Sequence, residues 1–402
     1  MRILVIKGQS HYGGTRLFAD EAAAAFGRRG DEVIILDLAD KSPGPPLEEA
    51  AQANRFDLVL SFNILGNFRA SNGRTMSELF GCPHVVRHTD YILASWDRLQ
   101  ETPSTTPLLV VDPTQIDALN AAAGFGRFSN VHFFPHPAVG ASAPDDADPE
   151  AFAKARPIGV LWSGSFVKPR RPWSTAPAPT QKVLDRAVDL SLAVEWMPPH
   201  VALAKALRDV GVDVSKPEHR AGLALASMVD TEVRERRRHA FLMALAKSGV
   251  DLHICGSGWE PHLYRFKTAT YHGAVEMAEM TALMRQTRVV LNTNGNFGAG
   301  SHERPFSASL AGAAVFSDLS QYYAAEFRIG ENIDLFSWLD LAGAMDQLRE
   351  LSRDTERCWR YACSAKQQTL AKHTWDRQID DLLEVAGLQG AGATASSTLE
   401  PD

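Results

Sequence analysis

Apolar residues in the first third of the chain fall in short runs of strand length, separated by segments of helical spacing. Residues 3–6 form a β-branched run closed by Gly8, and residues 17–26 repeat apolar positions at the helical period. Further runs follow at 33–36 (closing in Asp37), 58–62, 84–86, 108–111 and 131–134, each bounded by polar residues or proline. Alternating strands and helices with apolar strands predict a parallel sheet covered on both faces, hence an α/β fold.

The pattern weakens over residues 140–156, rich in Ala, Pro and Asp, which suits a linker after a first domain at 1–139. It resumes with a strand at 158–162 and Ser163-Gly164-Ser165. A helical insertion with proline punctuation spans about 167–229. A helix at 231–247, a strand at 252–255, a glycine loop at 256–261 and a helix at 276–286 lead into residues 288–318. These features define a second unit over 157–373. A last helix is expected within 374–388, and 389–402, small and polar, reads as a disordered tail.

Length allows two cores. A net charge of −7 argues against a general nucleic-acid binder, whose phosphate contacts need a basic face. The four cysteines, Cys82, Cys255, Cys358 and Cys363, are scattered and lack metal-ligand spacing, which suits a reduced chain without a structural metal. The first residues run straight into a strand, and no stretch approaches the ~20 apolar residues of a membrane span. A cytoplasmic protein with peripheral membrane contact at most is the expectation.

Candidate chemistry concentrates in residues 288–318. A buried strand at 289–291 is followed by a polar glycine-rich loop, a short helix and a second strand at 314–316. The loop brings Ser301, His302, Glu303 and Arg304 to the helix start, where Pro305 suits the first turn. Unpaired N–H groups and the positive end of the helix dipole favour an anion there. Arg304 adds the fork geometry that matches phosphate. Asn292 and Asn294, at the strand end, are candidate sugar or phosphate contacts.

Leu291-Asn292, Ser301-His302-Glu303-Arg304, Ala311-Gly312-Ala313 and Asp318 together resemble the nucleotide-sugar half of CgeB-like (spore-maturation-protein-type) glycosyltransferases, which have the GT-B fold. The resemblance implies two Rossmann-like domains facing across a cleft, with the closing helix crossing back to the first. It implies transfer of a sugar from a nucleotide-sugar donor on the second domain to an acceptor on the first, that acceptor being a protein, glycan or small molecule. The nucleotide-sugar enters as substrate, and no cofactor is implied. The loop Gly256–Gly258 with His272 and Val275 would wall the nucleobase, and Ser165 would approach phosphate.

His11 after the first strand, and His88 and Asp90 in Arg87-His88-Thr89-Asp90, are candidates for acceptor activation. CgeB-like enzymes tend to carry Asp-His-Pro where this chain has His-Thr-Asp, and Asp90 also suits a helix cap. His136 closes the sixth strand, as a cleft residue or as part of the linker entry. The position eight residues after Glu303 is Ala311, so the paired carboxylates of many retaining GT-B enzymes are absent. Glu303 is therefore given no nucleophilic role. The only Asp-x-Asp, Asp146-Ala147-Asp148, lies in the linker and away from the helix start, and Arg304 with the helix dipole would stand in for a metal. Two other readings use the same fold: a nucleotide-sugar 2-epimerase and a non-catalytic binding protein.

Overall fold

A computed structural model describes residues 1–39, 44–63, 73–295 and 297–388, and for His11 and Gly44 the backbone only. The expected tail at 389–402 lies outside the described residues.

Two six-stranded parallel sheets form the frame. The first contains β1 (Arg2–Lys7), β2 (Glu32–Asp37), β3 (Leu58–Phe62), β4 (His84–Arg87), β5 (Leu108–Val110) and β6 (Val131–Phe133), in the order β2-β1-β3-β4-β5-β6. The second contains β7 (Ile158–Ser163), β8 (Leu252–Cys255), β9 (Thr270–Tyr271), β10 (Thr287–Leu291), β11 (Ala314–Asp318) and β12 (Asp334–Phe336). Its order is β12-β11-β10-β7-β8-β9. The order in which strands are added reverses between β1 and β3 in the first sheet and between β7 and β10 in the second. Open α/β sheets bind ligands outside the strand carboxyl ends at such points. The loops after β1, β3, β7 and β10 are thus the ones that build the site.

The strands are apolar because both faces are covered. Ile3, Leu4, Val5 and Ile6 are buried, as are Val289, Val290 and Leu291. The helix Trp375–Val385 returns to the first domain, where Trp375, Ile379, Leu382 and Leu383 join Phe26, Phe62 and Phe134 in one core. Arg87 pins this junction. Its guanidinium lies 5.0 Å from the Phe134 ring centre and 5.1 Å from that of Trp375, and donates to the Pro135 carbonyl at 2.8 Å.

Residues 167–229 contain the helices Ala178–Leu192 and Pro199–Asp209, each opened by prolines that fix φ where no N–H partner is needed. Their apolar faces pack on the first domain. Leu184, Val188, Leu203 and Leu223 share a core with Val86, Leu108, Leu119 and Ala122. The insertion follows the linker in sequence but completes the first sheet's packing in space. Arg237 ties it to the second domain, donating to the carbonyls of Ser191 (3.0 Å) and Val194 (2.9 Å).

The two sheets are held face to face by the loop after β10. Ser301 N donates to the Val111 carbonyl and Ala299 N to Asp112 Oδ2, each at 3.0 Å. Gly300 sits between them, and any Cβ there would collide with the Val111 carbonyl oxygen. Among the described residues no helix is long and apolar enough to cross a membrane.

Leu203→Ala should lower unfolding free energy by about 2–5 kcal/mol, the cost of a cavity in a shared core, as read from the denaturant midpoint. A fragment beginning at residue 156 should bind a hydrophobic dye strongly or precipitate, because removing residues 1–155 strips the insertion of its partner face.

Candidate functional site

The sequence RERRRH at 234–239 lies on the helix Ala226–Leu245, and helical geometry sends its arginines to different faces. Arg236 pairs with Glu232 at 2.7 Å and Arg237 reaches the insertion. Arg234 and Arg238, four residues apart, share a third face and turn toward Arg304. Burial, then repulsion from Arg234 and Arg304, pushes the Arg238 guanidinium down to about 9, and its buried Nε has no hydrogen-bond partner. Arg304 itself is oriented by Asn292, whose Oδ1 accepts from Nη1 at 3.2 Å while its Nδ2 donates to Ser317 Oγ at 2.9 Å. Three half-buried arginines thus converge beside the start of the helix Glu303–Leu310.

Beyond Arg304 an apolar slot opens between the β7 and β8 carboxyl ends. Its walls include Gly164, Gly256, Val275, Met280 and Met284, with Tyr12 from the first domain. Gly256 has φ +130°, and a Cβ would strike the Gly164 carbonyl, so only glycine lets these loops touch. Tyr12, held at φ 57°, donates to Ser257 Oγ at 2.5 Å and lies 3.0 Å from Ser165 Oγ. This is a clasp between the domains over the slot.

A second cavity of about 680 Å³, within the range of ligand sites, runs outward from Arg234, His302 and Glu303. Phe18, Phe62, Asn63, Asp90, His136 and Asp230 also line it. Met277 borders both cavities, so they form one cleft.

His302 and Glu303 act as a pair. The His302 Nδ1 and Glu303 Oε2 atoms are 2.5 Å apart, which requires the proton on Nδ1. The 3.4 Å approach of Arg304 N to the same nitrogen is then no hydrogen bond, and Nε2 is the ring's only acceptor. Burial alone pushes the Glu303 carboxyl up, but His302 and Arg304 outweigh it and hold the group near 2. His136, 5.9 Å from the His302 ring and 2% exposed, is driven down to about 3 by burial and by Arg87, and is neutral.

The other sequence candidates are distributed as follows. Asp90 lines the outer cavity, exposed and accepting from Asn63 Nδ2 at 3.0 Å; it caps no helix, since the chain continues as a 3₁₀ turn at Ile92–Ser95. His88 is 2% exposed, outside the cleft lining, and burial lowers it to about 4. Its backbone belongs to the β4–β5 ladder, which turns the ring into the interior. His11 opens the turn after β1, and its side chain lies outside the described residues. Val275 and Gly256 wall the slot, whereas His272 faces away, its Nε2 2.9 Å from His253 Nδ1. Gly258 packs on the Phe166 carbonyl. Ser301 is a strap, its Oγ accepting from His136 N at 3.0 Å, and Asn294 holds its own loop through the Phe297 and Gly300 carbonyls.

Sequence reasoning missed Tyr12, Arg234 and Arg238. The i, i+4 spacing of the two arginines was the available signal, but it needed to be read as a face rather than as a charge run.

Glu303 has a depressed folded-state pKa, so its ionisation contributes stability that is present above its ordinary 4.5 and lost as pH falls toward 2. Glu303→Gln should therefore flatten the dependence of Tm on pH below 4.5 in thermal unfolding. An unchanged acid limb would remove the His302–Glu303 pair.

Residues 234–384, from Arg234 into the last helix, match a family model described as glycosyl transferase-like. No curated protein matches the chain. Among solved structures, HepE from Anabaena in complex with UDP superposes with TM-score 0.51 at 12% identity, covering 96% of this chain and 100% of that one. An α-glucosyltransferase in complex with UDP-glucose and DNA gives TM-score 0.54 at 13% identity, with 96% and 99% covered. Sucrose-phosphate synthase from Thermosynechococcus elongatus gives 0.53 at 10%, with 96% and 98% covered. The likeness extends over both sheets and the cleft between them, and the fold is GT-B.

Proposed function

We propose that this protein is a glycosyltransferase that moves a sugar from a nucleoside-diphosphate donor to an acceptor hydroxyl. The observation that carries the reading is the convergence of Arg234, Arg238 and Arg304 at one helix start. Three like charges held together, one with an orphaned Nε, repel one another until an anion of two or more charges joins them. A diphosphate meets that requirement, and the apolar slot beside Arg304 suits a base. The glycosyl transferase-like match over 234–384 begins at this arginine face. UDP and UDP-glucose, named for HepE and the α-glucosyltransferase, are the first donors to test.

In this reading the bond between the anomeric carbon and the donor diphosphate breaks as the acceptor oxygen bonds to that carbon. The three arginines take up the charge developing on the leaving diphosphate. They replace the metal that Asp-x-Asp enzymes use, so the transfer is metal-independent. The acceptor's proton passes to His302 Nε2, kept free by the Glu303 contact, in the manner of a carboxylate-oriented histidine. Asp90 is a second group within the acceptor end. Tyr12 closes the slot, and the Gly300 contact keeps the domains together, limiting donor loss to water.

Arg304→Ala should weaken UDP binding by about 10-fold or more, the loss of a charge-assisted contact, with Tm nearly unchanged. Calorimetric titration reads this, and equal affinity in a folded variant would sink the donor assignment. UDP release from UDP-glucose should continue in EDTA. Activity abolished by EDTA and restored by Mn²⁺ would contradict the metal-free mechanism.

A further inference from the structure

The cleft is electrically polarised along its length. Its inner end carries Arg304, Arg238 and Arg234. Asp230, one helical turn beyond Arg234 from Arg238, and Asp90, in the loop after β4, line the adjoining outer cavity. Asp90 is exposed, and its presentation is built. Asn63 adopts φ 49°, uncommon for a non-glycine residue, and accepts from Thr89 N at 2.7 Å and Thr89 Oγ1 at 3.1 Å. Its amide then donates to Asp90 Oδ2, and Asp90 lines the cavity. No arginine or lysine other than Arg234 lines the outer cavity among the described residues, and the His302 Nδ1 is committed to Glu303, leaving only Nε2 to the cavity. The remaining surface includes Phe18 and Phe62, the hydroxyls of Ser10, Thr15 and Thr89 and the amide of Gln9. Apolar rings beside neutral hydrogen-bonding groups suit a sugar-like polyol, which offers C–H faces and hydroxyls.

Resting on the transferase reading, we propose that the acceptor is an uncharged polyhydroxyl compound, and that Asp90 with Asp230 excludes phosphorylated acceptors from the outer cavity. The same carboxylates drive the donor's diphosphate to the arginine end, so one charge gradient sets the orientation of both substrates. A phosphate entering the outer cavity meets the exposed Asp90 carboxylate and the largely buried Asp230, and their repulsion acts over a Debye length of about 8–10 Å at ordinary salt. Neutral hydroxyls meet acceptors instead.

The test uses the full chain with UDP-glucose as donor and glucose, glucose 6-phosphate and fructose 6-phosphate as acceptor probes. UDP release gives the concentration of each probe at half its effect, for the wild type, Asp90→Asn and Asp90→Asn/Asp230→Asn. The sugar phosphates should act on Asp90→Asn at concentrations about tenfold lower than on the wild type. That gap should close at about 1 M salt, where screening falls to about 3 Å. Any effect of Asp90→Asn on glucose should be the same at low and high salt, so the salt-sensitive ratio of sugar phosphate to glucose is the quantity read. Asp90→Asn, at an exposed position, keeps the test usable if the double variant fails to fold. Sugar phosphates acting equally on wild type and variant, or on neither, overturn the acceptor proposal while UDP binding leaves the transferase reading standing. Absence of UDP binding in the wild type overturns the transferase reading first, and this proposal with it.

Discussion

The seating of Gly300 against the Val111 carbonyl is the contact on which the cleft depends. A loop that leaves β10 in the second sheet lies, at this point, backbone to backbone on the first domain. Ser301 N and Ala299 N bond the Val111–Asp112 segment, and Ser301 Oγ holds the His136 amide. These few bonds place His302, Glu303 and Arg304 directly across from His136 and Phe18. Without them the helix start would point at solvent, and its charge would be screened rather than focused.

Once the loop is seated, charge becomes the second organising constraint. Arg234, Arg238 and Arg304 arise from two elements far apart in sequence, brought together where β10 meets the helix Ala226–Leu245. Their mutual repulsion is a standing cost, which burial of Val229, Val233, Phe241 and Leu242 on the same helix offsets. Proteins keep such arrangements where an anion binds. Asn292 and Asn294, which read in sequence as sugar or phosphate contacts, instead orient Arg304 and brace the loop. They are buried at 0% and 3%, too deep for a ligand to touch.

The insertion shows where a linear reading of domains stops short. Its proline-opened helices follow β7 and so belong by sequence to the second unit. Their apolar faces fill the first domain's core, because the helices Thr114–Ala123 and Trp96–Glu101 leave that side of the sheet incompletely covered. Burial of Leu184, Val188 and Leu203 against Leu108 and Leu119 joins the first domain to the chain that carries the arginine cluster.

The sequence by itself determined the alternation of strands and helices, since the period of apolar residues is a local property that two-faced burial imposes. It also determined that a helix opening with Glu303, Arg304 and Pro305 follows the loop after β10, because proline in a first turn is readable over a few residues. Tertiary structure alone decided that Arg234 and Arg238 face Arg304 and that Tyr12 clasps Ser257. It likewise decided that His88 lies inside while Asp90 lines the cavity. On a continuing strand residues two apart would share a side, but the chain leaves the ladder after His88, and which side is the cleft depends on where the second sheet docks. Distance in sequence carries no record of that docking, which is set by the fit of Gly300 against a carbonyl 189 residues earlier in the chain.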